Sequence, residues 1–497
     1  MNKYSIHYKF KIIQNLIDVS FARNLKITGS NFNSIYHKYL IQKFMHLGAN
    51  EFFNDKNFNT LIKNSNVQTK SFKISRENGF ESVSIIIFIK LSLIFFMLWT
   101  LLFFYYFIVL IFNKNKKPRK RIIIFGTEYL NFDNHEIRNN FIEFLKKHIS
   151  VKSRDEVLVS SNSKIIVRFK NFIFKKYPHN ILFNSGLKLN DFIKIQLLHF
   201  TYLFIFIRDI CIDRRSSILA KDFALMSLFD FANNKKLIKS IIFTNSNMDY
   251  QPLWSSNYIN RNFSTSMFWY SENSSPVVRD INDNKRYFNQ YHPYLSLLNI
   301  DNHYVWTKSF ANTLKKFTSF ANCFVIGPIL WKNIDRHLKL NPCENNILIF
   351  DVPVFSDEFH DATGRRNEYY SYKNMKKFIL DIIDCKNNFN RLSNTKLILK
   401  SKKRGASPFF DKKYQIFLKK LQTENKIEII DPKLDMQHLI QNSSLVICVP
   451  FTSPLILANH LKKNCIYYDP TGTVLPYDGH GEFLIKGKKS LREFLKN

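Results

Sequence analysis

The residues of this sequence most suited to chemistry are Thr452 and Ser453, which stand two residues after the apolar run 445–449. The segment that follows them, from Pro454 onward, is apolar and has the composition of a helix. A strand that turns into a helix here directs backbone N–H groups and the positive end of the helix dipole toward one spot, beside two hydroxyls. The pattern predicts a phosphate site of a nucleotide-using enzyme. The alternative is that Thr452 or Ser453 only caps the helix.

These hydroxyls need a parallel sheet to position them, and the sequence around them has the required alternation. Short apolar runs alternate with helix-length segments, as expected of an α/β domain. The predicted strands are 347–351, 396–400, 427–430, 445–449 and 465–468, and the predicted helices are 372–383, 412–421, 435–442 and 454–463.

An earlier part of the chain shows the same alternation and predicts another α/β domain. Its predicted strands are 121–126, 240–245, 266–270, 304–307 and 324–328, with a helix over 136–148. We therefore expect an α/β fold with two consecutive Rossmann-type domains, over 119–335 and 344–497. Neither contains GxGxxG or GxxxxGK[ST], which argues against a bound dinucleotide and a P-loop ATPase.

A membrane-associated helix is predicted before the first domain. Residues 91–112 carry no charge, and about 22 residues give about 33 Å of helix, enough for a hydrocarbon core of about 30 Å. The apolar stretch starts at Val83 and is interrupted only by Lys90. The basic segment 113–121 should stay on the cytoplasmic side. A single span and a monotopic anchor both fit, and a buried helix of a large core is the alternative. Residues 1–82 receive no functional assignment.

Composition sets further limits on the class of protein. The 497 residues carry a formal charge of +34, and the isoelectric point is near 9.8. Charge of this sign along the whole chain favours anionic membranes or phosphorylated substrates. Because no zinc spacing or RNA-recognition motif is present, we expect no nucleic-acid partner. The six cysteines are scattered, without a CxxC pair, as in a reducing compartment.

The order of elements after residue 427 resembles the C-terminal, nucleotide-sugar-binding half of a GT-B glycosyltransferase. The tetrapeptide 450–453, Pro-Phe-Thr-Ser, is similar to the motif of the bacterial surface-polysaccharide biosynthesis proteins named for "PFTS". Residues 304–307 with 325–328 resemble the end of a GT-B N-domain. The likeness covers about residues 240–490, and more loosely 120–240. It implies cytoplasmic assembly of O-antigen or capsule-like glycan.

The resemblance assigns donor-binding roles to residues of the second domain. Thr452 and Ser453 match the position of the donor phosphate site, and Lys400 and Arg404 would neutralise the leaving phosphate. Asp469 and Thr471 would contact sugar or ribose, and Glu482 would bind ribose hydroxyls. For each of these positions the alternative is structural: a solvated charged turn around Lys400 and Arg404, and turn or cap formation elsewhere.

The N-domain should bind the acceptor and supply any catalytic base. Glu272 follows the predicted strand 266–270 beside two aromatic rings and is the first candidate. Asp133 and His135, after the first strand, are the reserves. An acidic residue at such a position also serves simply as a helix cap. Since no DxD-like carboxylate triplet stands at a strand end, we expect a metal-independent mechanism.

Together these features predict a membrane-anchored glycosyltransferase at the cytoplasmic face of the bacterial inner membrane. Its partners would be a nucleotide sugar, a lipid-linked glycan and anionic lipids, with no tightly bound cofactor. Two alternatives remain open at this point. One is transfer of another group, such as glycerol phosphate from a CDP-alcohol, and the other is a non-catalytic role in a polysaccharide assembly complex.

Overall fold

The structure is a computed structural model that describes most of the chain after residue 78. The described residues are 79–112, 120–126, 135–151, 155–160, 168–169, 172–176, 182, 187–212, 220–244, 252–256, 262–271, 277–281, 284–288, 300–317, 321–331, 345–355, 368–389, 394–401, 410–432, 434–475 and 481–496.

The structure describes ten α-helices among these residues. In chain order they are α1 (Gly79–Phe112), α2 (His135–Ile149), α3 (Leu189–Ile212), α4 (Ala220–Asn234), α5 (Lys308–Phe317), α6 (Tyr372–Asn387), α7 (Lys412–Thr423), α8 (Met436–Gln441), α9 (Ser453–His460) and α10 (Gly487–Lys496).

The strands belong to two large sheets and one hairpin. In chain order they are β1 (Arg121–Phe125), β2 (Glu156–Ser160), β3 (Arg168–Phe169), β4 (Phe172–Lys176), β5 (Ile238–Phe243), β6 (Ser264–Phe268), β7 (Val277–Ile281), β8 (Asn284–Phe288), β9 (Asn302–Val305), β10 (Asn322–Val325), β11 (Asn346–Phe350), β12 (Lys396–Lys400), β13 (Glu428–Ile429), β14 (Leu445–Cys448), β15 (Cys465–Asp469) and β16 (Leu484–Lys486).

The second sheet has the strand order of a Rossmann fold. Its six strands run β13-β12-β11-β14-β15-β16, and every pair is parallel. Numbered from β11, this is the order 3-2-1-4-5-6. All five residues of β11 are buried, as a central parallel strand with helices on both faces requires.

The first sheet is also doubly wound around its first strand. Its order is β10-β9-β6-β5-β1-β2-β4-β3, and the pairs from β9 through β4 are parallel. Only the short β3 is antiparallel to its neighbour among these pairs. The predicted fold class, a pair of Rossmann-type α/β domains preceded by an apolar helix, is confirmed.

The chain divides into two compact units. One contains residues 1–270, 293–304 and 317–324, and the other contains 271–292, 305–316 and 325–497. The strands of the first sheet lie within residues 121–325 and those of the second within 346–486. The domain bounds 119–335 and 344–497 stay predictions.

Several elements between residues 156 and 288 were not predicted from the sequence. They are β2, β4, helices α3 and α4, and the antiparallel hairpin β7–β8, in which Arg279 lies opposite Arg286 in the register. β2 begins with the charged Glu156, which hides it from a search for apolar runs. Helix α3 has apolar side chains on both its buried and its exposed sides, so no polar face marks its helical period.

Helix α1 is, among the described helices, the one that is long and apolar enough to cross a membrane by length and composition, over Leu91–Ile111. This helix does not stand apart from the fold, however, because one stripe of its surface is buried against the rest of the first unit. Phe95, Tyr106 and Val109 lie on this stripe and have almost no exposed surface.

Arg121 has the least exposed surface of the cations after α1 in the described part of the chain. The sequence grouped it with the basic segment 113–121, but its side chain is fully buried at the start of β1. The Arg121 Nε lies 3.4 Å from the Glu156 Oε2 of the neighbouring strand β2, whose side chain is also buried. A buried cation of this kind stabilises the fold only while its partner carboxylate is present.

Glu156→Gln should therefore lower the free energy of unfolding of the first unit by about 3 kcal/mol, because the buried Arg121 loses an anionic partner. Glu428→Gln, at an exposed position of β13, is the matched control and should change stability by less than about 0.5 kcal/mol. Urea unfolding followed by tryptophan fluorescence measures both. Equal stabilities for the two variants would show that the buried pair contributes nothing.

Candidate active site

The Pro-Phe-Thr-Ser tetrapeptide forms the turn between β14 and α9. Phe451 has a φ of +63°, in the left-handed region that non-glycine residues rarely adopt. Its side chain is fully buried and its ring packs edge-on against Tyr467, with 5.5 Å between centroids. Burial of this ring holds the backbone in the left-handed conformation, which lets the chain turn from strand to helix within a few residues.

Thr452 occupies the N-cap position of α9, but its hydroxyl does not cap the helix. With φ −92° and ψ 150° it has the extended backbone of an N-cap, yet no side-chain cap hydrogen bond forms. The hydroxyl instead donates to the Val449 carbonyl oxygen at 2.8 Å. The Thr452 carbonyl in turn accepts from the Tyr467 hydroxyl at 2.9 Å. Thr452 therefore closes the turn, and its hydroxyl proton is already used.

The N-terminus of α9 differs in this respect from the other helices of the second unit whose caps are described. Ser371, Asp411 and Asp435 each accept a backbone N–H in the first turn of their helix. No such acceptor serves α9, and within the described part of the chain the Ser453 hydroxyl has no hydrogen-bond partner. The first-turn N–H groups and the Ser453 hydroxyl are thus available to an anion.

This turn lies at the topological switch point of the second sheet. β11 and β14 are adjacent parallel strands, with Phe350 opposite Cys448, and their crossovers leave in opposite directions along the sheet. In doubly wound sheets the crevice at the carboxyl ends of such a pair is where ligands bind. The residues that follow the two strands are Asp351 and the tetrapeptide, so both border this crevice.

Asp351 is a buried carboxyl group at this edge. Its Oδ2 accepts from the Tyr414 hydroxyl at 3.0 Å and from the Ser401 hydroxyl at 3.2 Å. The Oδ1 has no hydrogen-bond partner among the described residues. Burial raises the pKa of Asp351 to about 7, against the opposing effect of the two hydroxyl donors. Asp351 ends the predicted strand 347–351, but its role at this edge could not be predicted from the sequence.

Lys400 ends β12 and is largely buried. Its ammonium group donates to the Pro432 carbonyl oxygen at 2.5 Å. Burial lowers the pKa of Lys400, while the nearby Asp435 and Asp431 act in the opposite direction. This bond uses one of the three N–H donors of the Lys400 ammonium group and leaves two for other acceptors. The contact of Lys400 with a phosphate stays a prediction.

Asp469 holds together the turn that follows β15. It is fully buried and accepts from the Tyr369 hydroxyl, the Val474 N–H, and both the N–H and the hydroxyl of Thr471. These four hydrogen bonds occupy the Asp469 carboxylate. They correspond to the structural alternative, in which Asp469 and Thr471 form a turn. Nothing in this geometry directs the Asp469 carboxylate to a ligand.

The remaining candidates are less fully described. Glu482 is exposed on the short 3-10 turn Gly481–Phe483 before β16. Arg404, Glu272 and Asp133 lie outside the described residues. His135 begins α2, directly after the segment that follows β1, and its side chain is not described.

The reserve candidates Asp133 and His135 follow the strand at which the first sheet changes direction. β1 lies between β2 and β5, so its carboxyl end borders the switch point of that sheet. Glu272 follows β6, one strand farther along. No cluster of three His, Cys, Asp or Glu side chains suited to a metal ion occurs among the described residues, and the metal-independent mechanism stays a prediction.

The carboxyl of Asp351 makes the stability of the second unit depend on pH. The folded state keeps the proton up to about pH 7, whereas an unfolded aspartate loses it near about pH 4. Stability should therefore fall as pH rises through this window, by up to about 1.4 kcal/mol per unit. Asp351→Asn removes this term, so the wild type should lose stability relative to the variant between pH 4 and 7. Urea unfolding at a series of pH values measures the difference, and parallel curves would contradict the assignment.

Comparison with known structures finds distant similarity to nucleotide-sugar proteins. Trehalose-6-phosphate synthase of E. coli, bound with UDP-2-fluoro glucose, matches with 10% identity and a TM-score of 0.41, over 76% of this chain and 90% of that one. The UDP-forming trehalose-phosphate synthase of Burkholderia xenovorans matches with 11% identity and a TM-score of 0.40, over 76% and 90%. The UDP-GlcNAc 2-epimerase of Methanocaldococcus jannaschii matches with 13% identity and a TM-score of 0.37, over 76% and 92%. Similarity at this level supports no functional assignment.

No curated protein sequence is detectably similar to the chain. A family model does match it, however, over residues 203–495, and that model describes polysaccharide biosynthesis proteins with the PFTS motif. The match covers more than half of the sequence and includes the turn between β14 and α9. The chain therefore belongs to the family of polysaccharide biosynthesis PFTS motif proteins.

Proposed function

We propose that this protein is a glycosyltransferase that moves a sugar from a nucleotide-activated donor to a lipid-linked glycan acceptor during synthesis of a bacterial surface polysaccharide such as O-antigen or capsule. The observation that carries the proposal is the position of the family motif. The motif lies at the switch point of a Rossmann-type sheet and precedes a helix without a side-chain cap.

An anionic donor is supported by the electrostatics of this turn. Backbone N–H groups at the start of α9 and the Ser453 hydroxyl are hydrogen-bond donors, and the helix dipole favours negative charge there. The neighbouring carboxyl of Asp351 has its pKa raised to about 7 by burial. It therefore carries less negative charge near neutral pH than an exposed aspartate and repels a phosphate less.

The reaction then requires stabilisation of a phosphate leaving group and removal of one proton. The bond from the anomeric carbon to the donor phosphate oxygen breaks, and a bond from that carbon to the acceptor oxygen forms. The departing phosphate keeps the electron pair and is stabilised at the turn. The hydroxyl proton of the acceptor passes to a general base, for which the Glu272 carboxylate is the first candidate and the Asp133 carboxylate and the His135 imidazole are the reserves.

The lipid-linked acceptor and the inner-membrane location are supported by α1. Its apolar segment Leu91–Ile111 has the length and composition for membrane association. The chain also carries a formal charge of +34, which attracts it to anionic lipids. The catalytic domains would then work at the cytoplasmic face.

A donor screen tests the nucleotide-sugar proposal directly. A ligand present at about 100 times its dissociation constant should add about 2.7 kcal/mol to the stability of the unit that binds it, read as a rise in melting temperature. Stabilisation by a nucleotide sugar together with transfer supports the proposal. Stabilisation by CDP-glycerol would favour the phosphotransferase, and binding without turnover would favour a non-catalytic assembly partner.

Ser453→Ala should weaken donor binding by about tenfold or more, because a hydrogen bond to a charged group contributes about 1.5–3 kcal/mol. Thr452→Ser keeps the bond to Val449 and should leave the affinity nearly unchanged. Ser371→Ala removes a cap from α6 of the same unit and is the control for stability effects. Isothermal titration with the best donor of the screen measures all three. Full affinity in a folded Ser453→Ala variant would exclude the Ser453 hydroxyl from the phosphate site.

Glu272→Gln should preserve donor affinity but reduce the transfer rate by about 10²–10⁴, the usual contribution of a general base. Both quantities are measured on one preparation, with Glu428→Gln, at an exposed position of β13, as the control for a change of charge alone. Near-normal turnover would remove Glu272 from the mechanism, and the same substitution at Asp133 would then test the first reserve.

A further inference from the structure

The two most apolar helices of the first unit lie side by side and antiparallel. Phe95 of α1 stacks on Phe206 of α3 with 3.9 Å between ring centroids. Farther along α1, Trp99 stacks on His199 at 4.5 Å, and near its end Phe107 meets Phe192 at 4.7 Å. Because the partner number falls as the α1 number rises, the two helices run in opposite directions along the whole apolar segment of α1.

Polar contacts fix α1 to the α/β unit behind it. Trp99 Nε1 donates to the His199 carbonyl oxygen at 3.2 Å, and His199 Nε2 lies 2.9 Å from the Trp99 carbonyl oxygen. The Ser227 hydroxyl of α4 lies 3.0 Å from both His199 Nδ1 and the Tyr106 hydroxyl. These bonds join α1, α3 and α4 at the middle of α1, in a region that is otherwise apolar.

The opposite surface of this helix pair is exposed and apolar. Among the described residues, 21 large hydrophobic side chains are exposed, and 15 of them lie here, nine on α1 and six on α3. Those on α3 recur every three or four residues along one stripe: Leu189, Ile193, Leu197, Phe200, Phe204 and Ile207. Phe200 contacts the ring of Trp99 at 5.3 Å, so the stripes of the two helices are continuous. We call this exposed surface of α1 and α3 the apolar face.

Exposed cations lie at one end of the apolar face. The sequence carries five cations from Lys114 to Lys120, directly after α1. In the antiparallel pair, this end of α1 lies beside the start of α3, where Lys188 and Lys194 are exposed. An apolar surface beside clustered positive charge is complementary to a bilayer with anionic headgroups.

We infer that the apolar face of α1 and α3 docks in the plane of an anionic lipid bilayer, so that the protein is monotopic and α1 does not cross the membrane. A helix that spans a bilayer meets hydrocarbon on every side. α1 instead carries α3 and α4 along its length, and α4 buries charged and polar side chains such as Asp222 and Asn233 within the unit. A transmembrane α1 would draw these elements into hydrocarbon, whereas an in-plane pair sinks only its apolar face, by about 5–10 Å.

This inference rests on the membrane association in the proposed function and assigns α3 a part in it. The first test replaces Leu197 and Phe204, which are 63% and 67% exposed, with glutamate. The matched control replaces Ile416 and Leu434 of the second unit, 68% and 48% exposed, in the same way. Flotation of the full chain with vesicles of phosphatidylcholine, with and without phosphatidylglycerol, gives the partition coefficient of each protein.

The α3 variant should partition at least about tenfold less than the wild type, since a tenfold change needs only about 1.4 kcal/mol and burial of either side chain exceeds this. The control should change less than about twofold, and phosphatidylglycerol should strengthen binding of the wild type. The donor-induced rise in melting temperature should be the same in all three proteins. This readout separates a failure of the docking surface from a failure of the proposed transferase.

Equal partitioning of the α3 variant and the control would overturn the inference. So would a change in the oligomeric state of the α3 variant without a change in vesicle binding, since the apolar face would then contact a second copy. A second test places epitope tags before Met1 and after Asn497 and treats sealed inner-membrane vesicles of known orientation with protease. A monotopic protein exposes both tags on one side, and tags on opposite sides would show that α1 spans the bilayer.

Discussion

The organisation of the second unit depends on the parallel pairing of β11 with both β12 and β14. Parallel neighbours need crossover connections, and the chain leaves β11 and β14 toward opposite edges of the sheet. The connection after β11 leads toward β12 and the connection after β14 leads toward β15, and this divergence opens a crevice at the carboxyl ends of the two strands without any specialised side chain. The tetrapeptide of the family follows one of these strands and Asp351 follows the other. The backbone topology therefore selects the location, and the side chains determine what chemistry can occur there.

Much of the second unit could be predicted from its apolar runs. The strand predicted over 396–400 was found at the same residues, and the helix predicted over 412–421 continues only to Thr423. The first unit was harder, because pairing there is not confined to apolar residues. The strand predicted over 304–307 in fact spans Asn302–Val305, since the polar Asn302 and His303 take part in the pairing with β6. Helix α3 was missed because apolar side chains on both its buried and its exposed sides leave no polar face to mark the helical period.

The direction of individual hydroxyl and charged groups could not be predicted. Thr452 and Ser453 look equivalent in the sequence, yet the left-handed backbone at Phe451 turns the Thr452 hydroxyl back onto Val449. Lys400 ends a strand as predicted, but its bond to Pro432 depends on a segment more than thirty residues away. Asp469 was expected at a ligand, and it serves instead as the acceptor that organises its own turn. Each outcome depends on tertiary contacts that no local pattern encodes.

The contact between Trp99 and His199 joins residues 100 positions apart, and this separation affects how the chain is made. Synthesis proceeds at about 5–20 residues per second, so α1 leaves the ribosome about 5–20 s before its partner α3 does. Throughout this interval the aromatic rings that later stack on α3 have no intramolecular partner from that helix. The nascent α1 then exposes apolar surface that the folded protein buries against α3, and this surface is open to contact with other apolar surfaces. Order of synthesis alone therefore leaves α1 open to other apolar surfaces before its first α/β unit is complete.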